Sequence, residues 1–527
     1  MKPFFLVNLF LAILASLMTC EAAVWNIDTI QKIAITGDIM PGTTGVLTQN
    51  VAENGFSGNA FGQAVFRGRL TGPGIDSDNS EGLWTGGSPA LSLVALGGSI
   101  APATTLSFRF MVDPVINAQG QIVLYGFFDP NDAGPDFFSG IWKADASGQL
   151  ELVARAGGNA PGTNGVFDHL SSVFVDLSFN DLGEVSIHAD IFDSFDQGIW
   201  TDAGGGGLRL ITLRNENAPG TDTHFTSFRP VSLNNLGETA FLGLLPFGDG
   251  TRNAGIWKEK QIGQLELVVR KGDLTPDSTG RFTEIGNPKF NNKEKIAFTS
   301  AIDADLNGTI DYQSIWQEDS TGNLTQLFRS DVSLPGTSFQ FRTIYDFEFN
   351  NSSEYALDAL LDTGSSQDRG IWKVDSEGDI GLVAMRNSFA PGTPSSRFAE
   401  FYDWTMNELG QVAFFGRIFG NGVIDPNSSG IWALDQNGIL KLIVRTGDSI
   451  NVGDAANPDY RTVIGLRSPD QGLISDKGKV LFSAIFADGA GVFSSSLVAI
   501  PEPNTLSAVL VLLVAGFFSM ARYFIRS

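Results

Sequence analysis

Short apolar runs of alternating pattern, separated by turn residues, recur along the chain and predict β-strands throughout. One type of run carries Gly-Ile-Trp or a close variant, and its tryptophans follow one another at steps of 56 to 60 residues. A fixed period of this length indicates tandem repeats. We expect a core role for seven tryptophans, namely Trp84, Trp142, Trp200, Trp257, Trp316, Trp372 and Trp432.

The repeat extends beyond these seven copies at both ends. Gly491-Val492-Phe493 follows Trp432 at a similar distance and resembles a weaker eighth copy. Trp25 precedes Trp84 by a similar distance and resembles a leading half-copy. The stretch Val24–Thr36 therefore predicts the last strands of a unit, which could complete the final unit at the other end of the chain.

Two turn motifs keep the same period. Asn-x-x-Gly precedes an apolar run at Asn59, Asn117, Asn180, Asn234 and Asn407, while Glu294 and Ser353 replace the glycine in two further copies. Asp-x-x-Gly marks a second hairpin, as at Asp319–Gly322, and an Ala-Pro-Gly-Thr loop separates units, as at Ala160–Thr163. Asparagine can accept backbone hydrogen bonds at a turn, and glycine supplies the positive φ that a short hairpin needs.

Each period thus contains four strand-like runs, which is the strand number of a propeller blade. A blade cannot bury both faces alone, so neighbouring blades must provide the core. We predict an all-β fold, a β-propeller of about eight four-stranded blades closed by N- and C-terminal strands. An open β-solenoid, a row of sandwiches, and seven blades plus a half-blade remain as alternatives.

The Asn-x-x-Gly motif with its following β-prone run, such as Thr239–Leu242, resembles the NxxGxxAF tandem-repeat family. The resemblance covers nearly all of the chain between its two ends. It implies a surface repeat protein with an anchoring tail, and it implies no particular activity.

The N-terminus predicts a secretory signal peptide over residues 1–23. Lys2 precedes an apolar run from Phe4 to Met18, and small residues follow at Ala22 and Ala23. Cleavage there would remove Cys20, the single cysteine, and would exclude disulfides within the mature chain. A lipoprotein signal acylated at Cys20 is the alternative.

The C-terminus has three parts over residues 501–527. Pro501-Glu502-Pro503 comes first, an apolar run from about Leu506 to Ala521 follows, and Arg522 and Arg526 complete the segment. This order resembles the PEP-CTERM sorting signal of Gram-negative bacteria. The resemblance implies processing by an exosortase-type protease and export to the cell surface or matrix. A plain single-pass membrane anchor is the alternative. Residues 24–500 are then the repeat domain, outside the cytoplasm in either case.

Charge and residue usage exclude several functions. The chain has 58 acidic and 34 basic residues, a net charge of −24, so nucleic acid is not an expected partner. Its three histidines, His169, His188 and His224, lack metal-ligand spacing. No nucleophile-elbow motif is present, and with so many acids a carboxylate pair alone does not indicate a glycosidase.

One segment has the pattern of a calcium loop. Oxygen-bearing side chains alternate from residue 303 to residue 311 around Gly308, as in short calcium hairpins. Position 314 is serine, so the bidentate glutamate of an EF-hand is missing. We expect one structural calcium ion, and the expected ligands are Asp303, Asp305, Asn307, Asp311 and the backbone carbonyl of Thr309. An acidic turn without metal is the alternative.

Together these features predict an exported, non-catalytic propeller that acts in binding or structure at the cell surface, in the matrix or in biofilm. Extracellular polysaccharide or another surface protein is the expected partner. The alternative is a secreted glycan-active hydrolase or lyase with its site at the central channel. That alternative predicts non-repeated polar residues clustered at one mouth of the channel.

Overall fold

The computed structural model describes residues 30–496, apart from residues 88–89, 135–136, 171–175, 195, 248–252, 335–338, 364–367, 394, 421–422, 424–427 and 455. The predicted signal peptide, the sorting motif Pro501–Pro503 and the apolar run after it lie outside the described residues. Within the described residues, helix is limited to the single turn α1 (Pro130–Ala133), and none of it could span a membrane.

The chain forms eight four-stranded antiparallel blades arranged in a ring, which is an eight-bladed β-propeller and confirms the predicted fold. Blade 1 contains β2 (Val46–Gly58), β3 (Ala64–Thr71), β4 (Glu81–Gly87) and β5 (Ala90–Leu96), and blade 2 contains β6 (Phe110–Ile116), β7 (Ile122–Phe127), β8 (Ser139–Ala144) and β9 (Leu150–Arg155). Blade 3 contains β10 (Asp176–Phe179), β11 (Val185–Asp190), β12 (Gln197–Thr201) and β13 (Arg209–Leu213), and blade 4 contains β14 (Ser227–Leu233), β15 (Thr239–Leu244), β16 (Ala254–Gln261) and β17 (Gln264–Arg270).

Blades 5 to 8 follow the same order, with a split first strand in blade 5. Their strands are β18 (Arg281–Ile285), β19 (Lys289–Phe290), β20 (Ile296–Asp303), β21 (Tyr312–Glu318), β22 (Leu324–Arg329); β23 (Phe341–Phe349), β24 (Tyr355–Leu361), β25 (Arg369–Val374), β26 (Ile380–Met385); β27 (Arg397–Met406), β28 (Val412–Phe419), β29 (Ser429–Leu434), β30 (Leu440–Arg445); β33 (Gly465–Arg467), β34 (Lys479–Phe486), β35 (Gly489–Ser496) and β1 (Ile30–Ile35). A separate hairpin joins β31 (Ser449–Asn451) to β32 (Tyr460–Thr462).

The N-terminal strand β1 closes the ring, as the sequence predicts. It pairs antiparallel with β35, from Ile30 opposite Ser495 to Ile35 opposite Gly491, and becomes the outermost strand of blade 8. Blade 8 also packs against blade 1, because Leu481 and Val492 share a core cluster with Trp84. Closure in this way leaves no blade without a neighbour on each side.

Each Gly-Ile-Trp unit lies on the third strand of its blade. The pairing with the fourth strand shifts register directly before every one of the seven tryptophans. The glycine lies beneath the indole: a Cβ on Gly82 would come within 2.3 Å of the Trp84 ring. The motif therefore places a large aromatic ring over a position with no side chain.

The hydrogen bond of the indole N–H also explains why the proline loop recurs with the same period as the tryptophans. Trp84 Nε1 donates to the carbonyl oxygen of Pro41 at 3.0 Å, and Trp200 Nε1 donates to that of Pro161 at 2.9 Å. The same bond occurs in the blades of Trp142, Trp257 and Trp432. A buried indole N–H needs an acceptor, and the loop before the blade supplies it.

Blade 5 departs from this arrangement. Ser314 stands where the other six units have glycine, and its Oγ accepts the hydrogen bond of Trp316 Nε1 at 2.6 Å. A serine hydroxyl thus takes the role that the proline carbonyl has in blade 4. Trp316 remains 4% exposed and packs edge-on against Phe282.

The Asn-x-x-Gly turns join the first and second strands and bind neighbouring blades together. Asn407 Oδ1 accepts from the N–H groups of Leu409 and Gln411, while its Nδ2 donates to Ser475 O of blade 8 at 2.7 Å. Equivalent bonds to the next blade start from Asn59, Asn117, Asn180, Asn291 and Asn350. We call the side of the ring with these turns the turn face, and the side with the proline loops the loop face.

Candidate functional site in the central channel

The first strands of the blades are innermost, and hydrogen bonds join neighbouring first strands directly. Ser57 Oγ donates to Pro114 O at 2.7 Å, and Ser232 Oγ accepts from Phe290 N at 3.0 Å. Side chains of these strands that are exposed therefore line the central channel. Any ligand site on the ring axis has to be built from them.

At the turn face, the polar side chains around the channel bind the turns together. In blades 3 to 7 the side chain after the asparagine accepts a hydrogen bond from the preceding blade: Asn235 Oδ1 accepts from Asp181 N, and Glu408 Oε2 accepts from Asn351 N. Burial raises the pKa of Glu408, and the negative charges of Asp476 and Asp181 add to the effect. Asp181 belongs to blade 3 and Glu408 to blade 7, so acidic groups from separate blades act on one another at this face.

Charged pairs join several neighbouring blades farther from the axis. Lys258 Nζ lies 2.7 Å from Glu318 Oε2, and both side chains are only 5% exposed. Lys143 lies 2.6 Å from Asp202, and Arg209 forms two hydrogen bonds with Glu259. These charged groups, which lie between blades 2 and 5, are already paired with one another and are therefore not available to bind a ligand.

The channel wall differs in blades 6 and 7. Tyr345 on β23 and Tyr402 on β27 both lie five residues before the asparagine of their turn, and they are 52% and 39% exposed. An exposed aspartate, Asp346 or Asp403, follows each tyrosine. Two adjacent blades thus carry an exposed Tyr-Asp pair at the same distance from the asparagine turn, beside a β-bulge that falls on Tyr345 in blade 6 and on Asp403 in blade 7.

Charged side chains surround these tyrosines toward the loop face. The Arg369 guanidinium lies 4.5 Å from the Tyr345 ring centroid and forms hydrogen bonds with Asp358. Tyr402 donates its hydroxyl hydrogen bond to Glu400, and this bond is the main reason that the pKa of Tyr402 is raised. A cleft of about 270 Å³ adjoins Glu400, with a wall that includes Arg417 and Phe419.

A larger cleft, of about 470 Å³, lies in the channel at blades 1 and 2. Gly55, Arg67, Phe110, Val112 and Asp113 line it. Arg67 Nε lies 2.7 Å from Glu81 Oε2, and the Arg67 guanidinium lies over the Phe110 ring. Phe110 also stacks on Phe127, with a centroid distance of 4.7 Å. The aromatic ring of this cleft therefore has protein groups against it already.

Carboxylates connect the two clefts through blade 8. Ser468 Oγ donates to Asp403 Oδ2 at 2.6 Å. Burial raises the pKa of Asp470, and Asp113 and Asp403 raise it further. On the other side of blade 6, Lys289 lies 3.1 Å from Glu348 and 3.3 Å from Asp346. The channel wall is consequently acidic from blade 6 to blade 2.

The three histidines do not converge with these groups. His188 lies between Asp176 at 3.3 Å and Gln197 at 3.1 Å and packs against Phe228. His169 packs against Phe138 on the loop-face side of blade 3, and His224 belongs to the proline loop before blade 4. Each histidine thus has a different local environment.

The predicted calcium loop joins β20 to β21 on the loop face of blade 5. Carboxylate oxygens of Asp303, Asp305 and Asp311 lie within 4.8 Å of one another, which brings together three of the five predicted ligands. Asp303 is buried and accepts from Asn307 N and Gly308 N, while Asp311 accepts from Ala304 N. Asn307 Oδ1 accepts hydrogen bonds from both the backbone N–H and the hydroxyl group of Thr309, so both residues are part of the turn. Hard oxygen donors at this spacing suit Ca²⁺.

The exposed Tyr-Asp pairs of blades 6 and 7 were not predicted from the sequence. The signal was a Tyr-Asp pair at the same distance before Asn350 and Asn407, which appears only when the repeats are aligned on the asparagine. The interblade ion pairs could be found in the same way, because Lys258 directly follows a repeat tryptophan and Glu318 comes two residues after the next one.

Comparison with protein families identifies the chain. A model described as a family of unknown function, DUF7453, matches residues 58–507. The chain belongs to this family. The match to DUF7453 begins at the last residue of β2, so it leaves out β1 and nearly all of the first strand of blade 1, and it ends within the C-terminal segment. A comparison of the sequence with curated proteins found no match.

Several solved structures are similar to this DUF7453 protein at low identity. An oligogalacturonate lyase in complex with manganese has 12% identity and a TM-score of 0.35, covering 76% of this chain and 97% of its own. Dipeptidyl peptidase 4 of Porphyromonas gingivalis has 11% identity and a TM-score of 0.45, and the match covers 86% of this chain and 61% of that protein. The β-propeller domain of the Trilobed protease of Pyrococcus furiosus has 11% identity and a TM-score of 0.39, and the match covers 75% of this chain and 99% of that domain. These similarities assign no activity to this chain.

Proposed function

We propose that this protein is an exported, non-catalytic β-propeller that binds extracellular polysaccharide at the cell surface or in the matrix. The observation that carries the proposal is the contrast between its polar groups. Those of the repeat, such as Asn407 and Lys258, are used between blades, whereas Tyr345, Tyr402 and their charged neighbours are exposed on the channel wall. Exposed aromatic rings beside hydrogen-bonding groups suit ligand recognition.

The positions of the chain ends support an anchored arrangement. Ser496 pairs with Lys479 at the start of β34, and Ile30 pairs with Ser495, so both ends of the described chain lie at the turn face. Pro501 follows five residues after Ser496. A tail held at the membrane and processed there by an exosortase-type protease would leave the loop face, with the cleft beside Glu400, directed away from the membrane.

Calcium has a structural role in this proposal. An ion held by Asp303, Asp305 and Asp311 would fix the hairpin between β20 and β21 on the outward face, with Asn307 and the Thr309 carbonyl completing its shell. The loop is found in one blade, so the ion would stabilise blade 5 and would take no part in ligand chemistry.

A glycan-active lyase or hydrolase is the second candidate, and one observation favours it. The non-repeated polar groups Glu400, Tyr402 and Arg417 lie together, since Tyr402 bonds to Glu400 and both Glu400 and Arg417 line one cleft. The raised pKa of Tyr402 argues against a tyrosinate general base at this position, because the phenol is then deprotonated even less often near neutral pH.

Fractionation of cells that express the full chain tests the proposal. We expect the repeat domain outside the cytoplasm, accessible to added protease, and sedimenting with matrix polysaccharide. Removal of residues 501–527 should release it to the medium. Cytoplasmic retention would contradict the proposal, and release of new reducing ends or unsaturated uronates from the polysaccharide would favour the enzyme.

A further inference from the structure

We infer that the channel wall of blades 6 and 7 binds an uncharged pyranose chain, with Tyr345 and Tyr402 as stacking platforms. We call this surface the tyrosine wall; it consists of Tyr345, Asp346, Tyr402, Asp403 and Glu400. The inference rests on the proposed function and specifies its ligand class. Nothing in the repeat motif requires aromatic residues at these two positions, because Arg229 and Asp470 occupy the equivalent position in blades 4 and 8.

The two rings have open faces. Arg369 covers one side of Tyr345, and the side chain is nevertheless 52% exposed, so its other side is open to the channel. Tyr402 has a tilted contact with Phe415 at a centroid distance of 6.0 Å and is 39% exposed. Rings held by protein on one side and open on the other can stack on the apolar face of a sugar at small entropic cost.

The polar groups of the wall match hydroxyl groups. Asp346, Asp403 and Glu400 are acceptors that can take hydrogen bonds from sugar hydroxyls, and Arg417 is a donor in the adjoining cleft. Carboxylates are strong hydrogen-bond acceptors, so a polyol, which carries many hydroxyl donors, is a suitable ligand for these side chains.

The charge of the wall is on balance negative and disfavours a polyanion. The acidic side chains here are Asp346, Glu348, Asp358, Glu400, Asp403 and Asp470, and the basic ones are Lys289, Arg342, Arg369, Arg397 and Arg417. Lys289 already pairs with both Glu348 and Asp346, and Arg369 pairs with Asp358. A uronate chain would meet uncompensated negative charge, whereas a neutral chain would not.

Calorimetric titration of the full chain tests this inference, in a detergent without a sugar headgroup. The probes are cellohexaose, maltohexaose and N-acetylated chitohexaose as neutral chains, and hexagalacturonate as the anionic one. We expect at least one neutral chain to bind, with little change between about 0.05 and 0.5 M salt because no ion pair forms. Binding of hexagalacturonate in preference to all three neutral chains would overturn the inference, as would no binding of any neutral chain.

Substitutions locate the site. Tyr345→Ala and Tyr402→Ala should each raise the dissociation constant at least tenfold, whereas Tyr345→Phe and Tyr402→Phe should stay within about threefold because the ring remains. Tyr460→Ala is the matched control, since Tyr460 is 56% exposed on the separate hairpin. Unchanged affinity in both channel alanine variants would overturn the inference. If such variants still retained matrix polysaccharide in cells, the proposed function would stand with a different site.

Discussion

The repeat tryptophans and the channel tyrosines are both aromatic, but their surroundings are opposite. Trp257 of blade 4 is fully buried between Phe225 and Phe241, and its indole N–H bonds to Pro219. Tyr345 and Tyr402 are largely exposed on inner strands. The comparison teaches that residues repeated in seven of the eight blades build the ring, while residues that occur in two adjacent blades modify its channel.

The comparison can be tested by separating stability from binding. Substitutions in the repeated interior should lower the free energy of unfolding and spare the dissociation constant of a bound oligosaccharide. Substitutions on the tyrosine wall should do the reverse. The following predictions concern the interior, from the largest effect to the smallest.

The buried pair Lys258–Glu318 should give the largest effect. Lys258→Met leaves Glu318 buried without its partner, and burial already raises the pKa of that carboxyl group. We expect a loss of about 3–5 kcal/mol in the free energy of unfolding by denaturant titration. The double variant Lys258→Met/Glu318→Leu should recover most of this loss. A double variant as unstable as the single one would show that the pair itself supplies the stability.

Trp257→Ala should cost about 3–5 kcal/mol, because it removes a fully buried ring between two phenylalanines. Tyr460→Ala serves as the exposed control and should change stability by less than about 0.5 kcal/mol. Thermal and denaturant unfolding measure both. Equal effects of the two substitutions would mean that the tryptophan layer is not the core.

Asn407→Ala should cost about 2 kcal/mol. It removes the acceptor of two turn N–H groups and the donor to Ser475 O, all at a buried position. Leu409→Ala in the same turn is the matched control, since Leu409 is 63% exposed. If both variants unfolded at the same denaturant concentration, the asparagine bonds between blades would not contribute to stability.

Glu294→Gly should stabilise the protein by about 0.5–1 kcal/mol. Glu294 has φ +58° at the turn position where most units have glycine, and that conformation is costly for a residue with a Cβ. The reverse change, Gly237→Ser, starts from φ +78° in blade 4 and should destabilise by a similar amount. A gain of stability in Gly237→Ser would contradict the strain argument.

The sequence predicted the fold because its evidence is periodic. Trp84 to Trp432, the asparagine turns and the unmatched ends each repeat a blade position, and the chain order fixes how blades follow one another. The exposure of Tyr345 could not be predicted, because a channel-facing residue and a buried one follow the same alternation along an inner strand. The hydroxyl of Ser314 as an indole acceptor also depends on three-dimensional placement.

The candidate site was foreseen only in its location. A central channel follows from any closed ring, and the alternative enzyme hypothesis placed its site there. The residues of the site were not foreseen, because the tyrosine wall arises from two units among eight. Asp303, Asp305 and Asp311 do lie near one another, since they are close in sequence and belong to one turn, and calcium binding there stays a prediction.

Hydrogen exchange of the full chain, with and without a bound neutral hexasaccharide, tests the central claim most directly. The account predicts that added protection concentrates in residues 341–349 and 397–406, the inner strands of blades 6 and 7. The equivalent strand of blade 4, residues 227–233, should exchange at the same rate in both samples. Protection centred on blade 4, or spread equally over all eight inner strands, would contradict the account.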